Sequence, residues 1–374
     1  MPIYIDVSAA VHRRAGLGRY AESLTQALLT TQREPIALFY NREKGVTVPA
    51  AWTSLRRATV SLGYKPWRLA VWAGQFMGLA FDRLLPGASL FHATEHLLMP
   101  LRRVPTVLTV HDLIFAHLPQ HHKALNRWYL RLTMPLYCRR AERIIAVSQH
   151  TRQDLARLYR IPLDKVHVVY EAADPRFSPQ DPATWTRVAR RYGLPEAFVL
   201  YVGTIEPRKN LLRLLRAWEP LYLKRACGPL VLVGRRGWLS EPFFAALEAS
   251  PARDGVILPG YVADDDLPAV YSAATLFVFP SLYEGFGLPP LEAMACGTPV
   301  ICSDAASLPE VVGDAARLVN PEDVEALRAA LQELWGHPDL RSELRERGLA
   351  RSVQFSWKRA AQETLRVYDL AQSF

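Results

Sequence analysis

The sequence predicts an α/β protein of two Rossmann-like, doubly wound domains facing across a cleft. Three observations carry this. Short continuous apolar runs alternate with helical stretches along most of the chain, the pattern of parallel strands buried on both faces. The 374 residues exceed a single hydrophobic core, which stops growing at roughly 250–300 residues. An aperiodic stretch with three prolines, EAADPRFSPQDP at 171–182, breaks the alternation and reads as a linker.

Taken in order, strands are expected at IYIDV (3–7), IALFY (36–40), SLFHA (89–93), TVLTV (106–110), RIIAV (143–147) and VHVVY (166–170). Helical stretches such as GRYAESLTQALL separate most of them. Beyond the linker come FVLYVG (198–203), LVLVG (230–234), VILPG (256–260), LFVFP (276–280) and PVICSD (299–304). The resulting domains are 1–172 and 183–355. A closing helix in 356–374, FSWKRAAQETLRVYDLAQ, is expected to pack back on the first domain. Ligands in such sheets bind beyond the carboxyl ends of the strands.

Half the residues are apolar and 22% are charged, with a net charge of +9. A basic balance suits anionic partners such as nucleotide phosphates or an anionic membrane, and equally a plain basic surface. No run of five like charges occurs, which argues against a nucleic-acid tail. The cysteines Cys138, Cys227, Cys296 and Cys302 form no C-x-x-C pair and no zinc-ligand spacing. MPIYIDVS opens directly in a strand without a secretory pattern, and the expected location is cytoplasmic. The most apolar stretch, residues 69–81, is shorter than the roughly 20 residues a membrane span needs.

Two stretches carry candidate chemistry. In PSLYEGFGLPPLEAMACGTPVICSD, from residue 280, a buried strand enters a loop tightened by Gly285 and Gly287. Pro289 and Pro290 suit a helix start and Gly297 its end. Glu284 then lies in the loop and Glu292 in the first helical turn. In YVGTIEPRKNL (201–211), Glu206, Arg208, Lys209 and Asn210 cluster where a strand ends. Arg grips phosphate through a planar fork and Lys acts as a point charge, so the adjacent cations suit a diphosphate.

These two elements, in this order and roughly 75 residues apart, together with LVLVG, GYV at 260–262 and LPEVVGDAA, resemble the retaining glycosyltransferases of family 4, which have the GT-B fold. IDVSAAVHRRAGLGRYAESLTQALL and TVLTVHDLIFAHLP resemble that family's first half. Both look most like its mannosyl- and rhamnosyltransferases of surface polysaccharide assembly. The resemblance implies transfer from a nucleotide-diphosphate sugar, without a metal or other cofactor, to a glycan or lipid-linked saccharide. The first domain would take the acceptor side and the second the nucleotide sugar. Arg208 and Lys209 would hold the diphosphate and stabilise the leaving group. Glu292 would bind the ribose. Glu284 and the backbone of Phe286, Gly287 and Leu288 would hold the sugar. Gly203 and Gly234 would line the donor site, with Tyr261 and Val262 near the base. A glycine-rich loop at Gly16 and Gly18 would approach the donor, and His111 would contact its sugar. GDP-mannose is the favoured donor. A UDP-sugar is the alternative, and a sugar-nucleotide-binding protein without turnover is a more distant one.

Four weaker signals stay open. GLGRYA at 16–21 matches the loose G-x-G-x-x-[GA] dinucleotide fingerprint and would suggest an NAD-dependent oxidoreductase, yet eight residues separate it from the preceding strand. Glu95 and His96 follow a strand and are acceptor-site candidates. His117, His121 and His122 lie in a proline-containing loop rather than on one helix face. The segment YKPWRLAVWAGQFMGLAFDRLL reads either as a buried helix or as an amphipathic helix resting peripherally on a membrane.

Overall fold

The structure, a computed structural model, describes residues 1–31, 34–43, 46, 48–121 and 123–373; His122 lies outside them. The chain forms two compact units. One comprises Met1–Glu171 with Ser356–Phe374, the other Ala172–Phe355.

The first unit holds β1 (Ile3–Asp6), β2 (Ile36–Asn41), β3 (Arg56–Val60), β4 (Leu90–Ala93), β5 (Thr106–Val110), β6 (Arg143–Ala146) and β7 (Val166–Val168). They form one parallel sheet in the order β3-β2-β1-β4-β5-β6-β7. Every residue of β1, β2, β4 and β5 is buried, as covering on both faces requires. The strand order reverses between β1 and β4, which opens a crevice at their carboxyl ends. The sequence reading missed β3. Its RRATV is a largely exposed edge strand, where charge is tolerated and the apolar signal is lost.

The closing helix Trp357–Gln372 belongs to this unit. The hydroxyl of Ser356 caps it by accepting from the N–H of Arg359 at 3.2 Å. Its buried stripe, Trp357, Ala360, Ala361, Thr364, Val367, Tyr368 and Ala371, follows the helical period. The Tyr368 hydroxyl meets His92 Nδ1 at 2.7 Å, and His92 Nε2 meets the Thr109 hydroxyl at 2.8 Å. Burial pushes His92 down to about 3, so a neutral imidazole joins the helix to β4 and β5.

Two expectations change here. Gly16 and Gly18 are not in a loop; they lie in the first turns of the helix Ala15–Thr31. A Cβ on Gly18 would sit 2.9 Å from the carbonyl oxygen of Ala9. Gly18 therefore serves close packing against the preceding helical turn, while Gly16 faces open space. The segment read as either buried or membrane-facing is amphipathic. The helix Tyr64–Met77 buries Trp67, Val71, Gly74 and Gln75 and exposes Leu69 (61%), Phe76 (66%) and Met77 (70%).

The second unit holds β8 (Val199–Val202), β9 (Leu230–Val233), β10 (Val256–Gly260), β11 (Leu276–Phe279), β12 (Val300–Ser303) and β13 (Arg317–Val319). The order β10-β9-β8-β11-β12-β13 is again all parallel. The reversal lies between β8 and β11. The three-residue β13 is too short to show a period and was not expected. Trp218, Tyr201, Tyr271, Phe198, Phe277 and Phe279 fill the core.

Candidate functional site

In the second unit both candidate stretches leave adjacent strands of the switch point. After β8 the chain turns through Glu206, Arg208 and Lys209. Asn210 ends the turn in the left-handed region, φ 61°. Its side-chain amide donates to the carbonyls of Pro280 at 3.0 Å and Pro321 at 2.7 Å, and the Leu282 N–H donates to the Arg208 carbonyl at 2.9 Å. These bonds fix the β8 turn against the loop after β11.

There Arg208, Lys209 and Glu284 meet. Arg208 Nη1 lies 2.6 Å from Glu284 Oε2, and Lys209 Nζ lies 2.7 Å from Glu284 Oε1. Arg208 also donates to Glu206 Oε1 through Nη2 at 2.7 Å and to the Tyr283 carbonyl at 3.0 Å. Burial alone would raise the Glu284 carboxyl, but the two cations outweigh it and hold it at about 2. Lys209 is held below its ordinary range by burial and by Arg208, against the pull of Glu284 and Glu206. The result is a largely buried cluster of two cations and two carboxylates. Ser307 supports the loop, its hydroxyl sharing one proton between the carbonyls of Glu284 at 2.9 Å and Phe286 at 2.6 Å.

Glycine allows the tight approaches nearby. Gly203 and Gly234 have φ of 152° and 147°, and a Cβ on Gly234 would lie 2.0 Å from the Gly203 carbonyl oxygen. The loops after β8 and β9 therefore touch backbone to backbone. Gly287, φ 128°, precedes the helix Leu288–Ala295, and Gly297 follows it at φ 74° as a left-handed stop. Phe286 is buried, its ring 5.8 Å from that of Phe355.

Glu292 stands apart from the cation cluster. The helix starts at Leu288, so Glu292 is in its second turn rather than the first, and it accepts from the Tyr271 hydroxyl at 2.9 Å. Beyond β10, Val262 is buried and Tyr261 is 56% exposed. The Arg235 guanidinium lies 4.8 Å from the centroid of the Tyr261 ring, a flat polar platform that strand reading could not reveal.

In the first unit Glu95 and His96 follow β4 and His111 follows β5. The His111 Nε2 meets the Thr94 carbonyl at 2.9 Å and its Nδ1 meets Glu171 Oε1 at 3.1 Å. Both contacts favour a ring that carries protons on both nitrogens. Burial would depress it, but Glu171 and the Thr94 carbonyl raise it above the usual histidine range. The His96 ring lies 6.1 Å from it. The sequence reading missed Glu171, which it placed at the start of the linker. It also missed Asp6, Arg14 and Tyr64, which gather around Glu95. Arg14 Nη1 lies 2.6 Å from Glu95 Oε2. His117 is taken up by Asp154 at 2.7 Å, and no group of metal-ligating side chains is found among the described residues.

Two parallel doubly wound units are the architecture of the GT-B glycosyltransferases, and the comparisons with known proteins place the chain among them. The chain belongs to the family 4 glycosyltransferases. The profile described as "Glycosyltransferase Family 4" matches residues 14–177, and that of "Glycosyl transferases group 1" matches residues 189–351. The chain is 38% identical over 274 residues to the O-antigen chain mannosyltransferase B of Escherichia coli, covering 73% of this chain and 72% of that one. It is 36% identical over 228 residues to the serotype-specific mannosyltransferase WbdA of Escherichia coli, covering 59% of this chain and 28% of that longer one. Its fold matches the sucrose-phosphate synthase of Thermosynechococcus elongatus with a TM-score of 0.79 at 21% identity, over 99% of this chain and 98% of that one.

Proposed function

We propose that this glycosyltransferase moves mannose from GDP-mannose to a glycan or lipid-linked saccharide, retaining anomeric configuration and using no metal. The observation that carries the reading is the meeting of Arg208, Lys209 and Glu284 at the β8–β11 switch point. A departing nucleoside diphosphate gathers negative charge, and preorganised cations in a dry site lower the barrier to its departure. The diphosphate takes over the cations now paired with Glu284. The released carboxylate then accepts hydrogen bonds from the donor sugar, beside the backbone of Phe286, Gly287 and Leu288. Glu292 binds the ribose and Tyr261 and Val262 flank the base. Gly203 and Gly234 let the backbone come close to the donor, and His111 contacts the sugar. Mannose is favoured by the names of the two Escherichia coli relatives. The oxidoreductase reading loses its support, because GLGRYA lies inside a helix rather than in a strand-to-helix turn.

The test is thermal stability with GDP, UDP, ADP, dTDP and NAD⁺, each with and without EDTA. A ligand at 100 times its Kd stabilises by about 2.7 kcal/mol. A shift with GDP that EDTA leaves unchanged, followed by an α-linked product from GDP-mannose, is the expected result. A shift with UDP alone overturns mannose, and a shift with NAD⁺ alone overturns the transfer reading.

Peripheral membrane contact is part of this proposal. Alongside Leu69, Phe76 and Met77, the helix Ala124–Arg140 exposes Leu125 (80%), Trp128 (58%) and Leu132. The two helices are joined by Arg68, which donates to Asn126 and lies 3.9 Å over the Tyr129 ring. Neither helix contains an acidic residue, whereas together they carry Lys65, Arg68, Arg127, Arg131, Arg139 and Arg140. Exposed apolar stripes with only positive charge suit an anionic bilayer surface. No helix among the described residues is long and apolar enough to cross a membrane. Co-flotation with phosphatidylglycerol vesicles, lost in Phe76→Glu/Trp128→Glu, is expected; equal flotation by the double variant would remove this contact.

A further inference from the structure

The strand order of the first unit reverses between β1 and β4, and its switch-point crevice contains a side-chain group that the donor chemistry leaves unused. Asp6 ends β1 and Glu95 follows β4; both are buried. Arg14 Nη1 binds Glu95 Oε2 at 2.6 Å, with 23% of the Arg14 side chain exposed against 4% of that of Glu95. The Arg14 guanidinium lies 3.5 Å from the centroid of the Tyr64 ring. Asp6 Oδ1 accepts from the Ser8 N–H at 2.9 Å, and the Thr94 hydroxyl donates to the Asp6 carbonyl at 2.6 Å. Thr94 also receives the His111 bond, so the crevice and His111 share one wall.

One atom in this group has no partner. Glu95 Oε1 is fully buried and receives no hydrogen bond. A buried carboxylate oxygen without a donor is costly, and native chains rarely keep one without a use. Burial and the Glu95 charge push Asp6 up to about 7, so near neutral pH the Asp6 carboxyl is partly protonated. The group offers a phosphate no spare cation, because its single guanidinium is already paired with Glu95. It offers an acceptor at Glu95, donors at Arg14 and an aromatic ring at Tyr64, the set that recognises adjacent hydroxyls of an uncharged sugar.

We propose that Glu95, Arg14 and Tyr64, backed by Asp6, form the subsite that binds a hydroxyl pair of the acceptor saccharide. Glu95 accepts from one hydroxyl and Arg14 donates to its neighbour. This rests on the transfer reading above and adds the acceptor's recognition to it. The crevice selects a neutral, polyhydroxylated ligand, whereas the cations of the second unit take the anionic donor.

The test uses the full chain with GDP-mannose as donor and methyl α-D-mannopyranoside or octyl α-D-mannopyranoside as acceptor. Transfer and acceptor-free hydrolysis of GDP-mannose are followed separately. Glu95→Gln and Arg14→Gln are each expected to raise the acceptor KM at least tenfold. The donor KM, the hydrolysis rate and the GDP-induced thermal shift should stay within twofold of wild type. Saturation-transfer NMR signals from methyl α-D-mannopyranoside should be present with wild type and lost with either variant. Arg14→Gln, at a partly exposed position, keeps the test available if Glu95→Gln does not fold. An unchanged acceptor KM and unchanged NMR signals, with only a lower melting temperature, would show that the Asp6–Glu95 pair is structural and overturn the subsite. Absence of both hydrolysis and GDP binding in the wild type would instead overturn the donor reading on which it rests.

Discussion

Replacing Glu284 by Gln keeps the shape of the side chain and an oxygen that can accept from Lys209, and it removes the charge. The variant therefore imitates wild type with this one carboxyl permanently protonated. Glu284 falls from 4.5 to about 2 on folding because Arg208 and Lys209 outweigh its burial. At about 1.36 kcal/mol per unit, that fall corresponds to about 3 kcal/mol of stability at neutral pH. Since the folded chain holds the lower value, the contribution is complete above about pH 5 and is lost as the pH falls towards 2. Glu284→Gln should be about 3 kcal/mol less stable than wild type near pH 7, and the gap should close on acidification. Removing one member of a buried ion cluster commonly costs about this much. Urea denaturation of both chains between about pH 7 and pH 3.5 measures the gap, read on the transition that the substitution moves. A pH-independent gap would mean that lost packing, not charge, sets the cost. No gap at all would mean that the contacts at 2.6 and 2.7 Å contribute nothing net, and the coupling between Glu284 and the cations would have to be abandoned.

Lys209→Ala and Arg208→Ala should each lower the transfer rate by about 10²–10³, the usual loss when a group stabilising a developing anion is removed; single-turnover transfer near wild-type rate would exclude that side chain from the step. Gly18→Ala should destabilise by more than 1 kcal/mol (about 1–3) because its Cβ meets the Ala9 carbonyl oxygen at 2.9 Å. Gly16→Ala, in open space within a helix, should be neutral or gain up to about 1 kcal/mol, and thermal melts of the two variants decide the contrast. His111 is raised on folding by Glu171 and the Thr94 carbonyl against its burial, so their contribution is full below about pH 6.5 and fades as the pH rises through the folded value. Glu171→Gln should lower the His111 titration midpoint in an NMR titration and flatten that slope; an unmoved midpoint would deny the pairing.

How far the sequence can be read depends on how each site is distributed along it. The cluster of the second unit was legible as candidate residues because Glu206, Arg208 and Lys209 stand in one turn and Glu284 in one loop, each soon after an apolar strand. The crevice of the first unit was not. Asp6, Arg14, Tyr64 and Glu95 come from four segments, and Arg14 is 81 residues from its partner. Asp6 reads as the end of a strand and Tyr64 as the start of a helix, and only the strand order β2-β1-β4 brings β1 beside β4. Gly16 and Gly18 read as a loop rather than a helix start for a related reason. Glycine marks a close approach without saying of what, and at Gly18 the approaching group is the protein's own backbone. The edge strand β3 was missed because exposed arginines erase its apolar signal. The number of cations also separates the two switch points. Around Arg208 and Lys209 the carboxylates match the cations one for one, and Arg235 lies beyond the neighbouring strand; an incoming diphosphate can replace Glu284 without leaving either cation bare. Around Arg14 two carboxyl groups face one cation, so an anion would find no cation to spare while a sugar hydroxyl would find an oxygen without a donor. The same fold element, a reversal of strand order, thus presents two different side-chain sets, a pair of adjacent cations in one unit and a single guanidinium in the other.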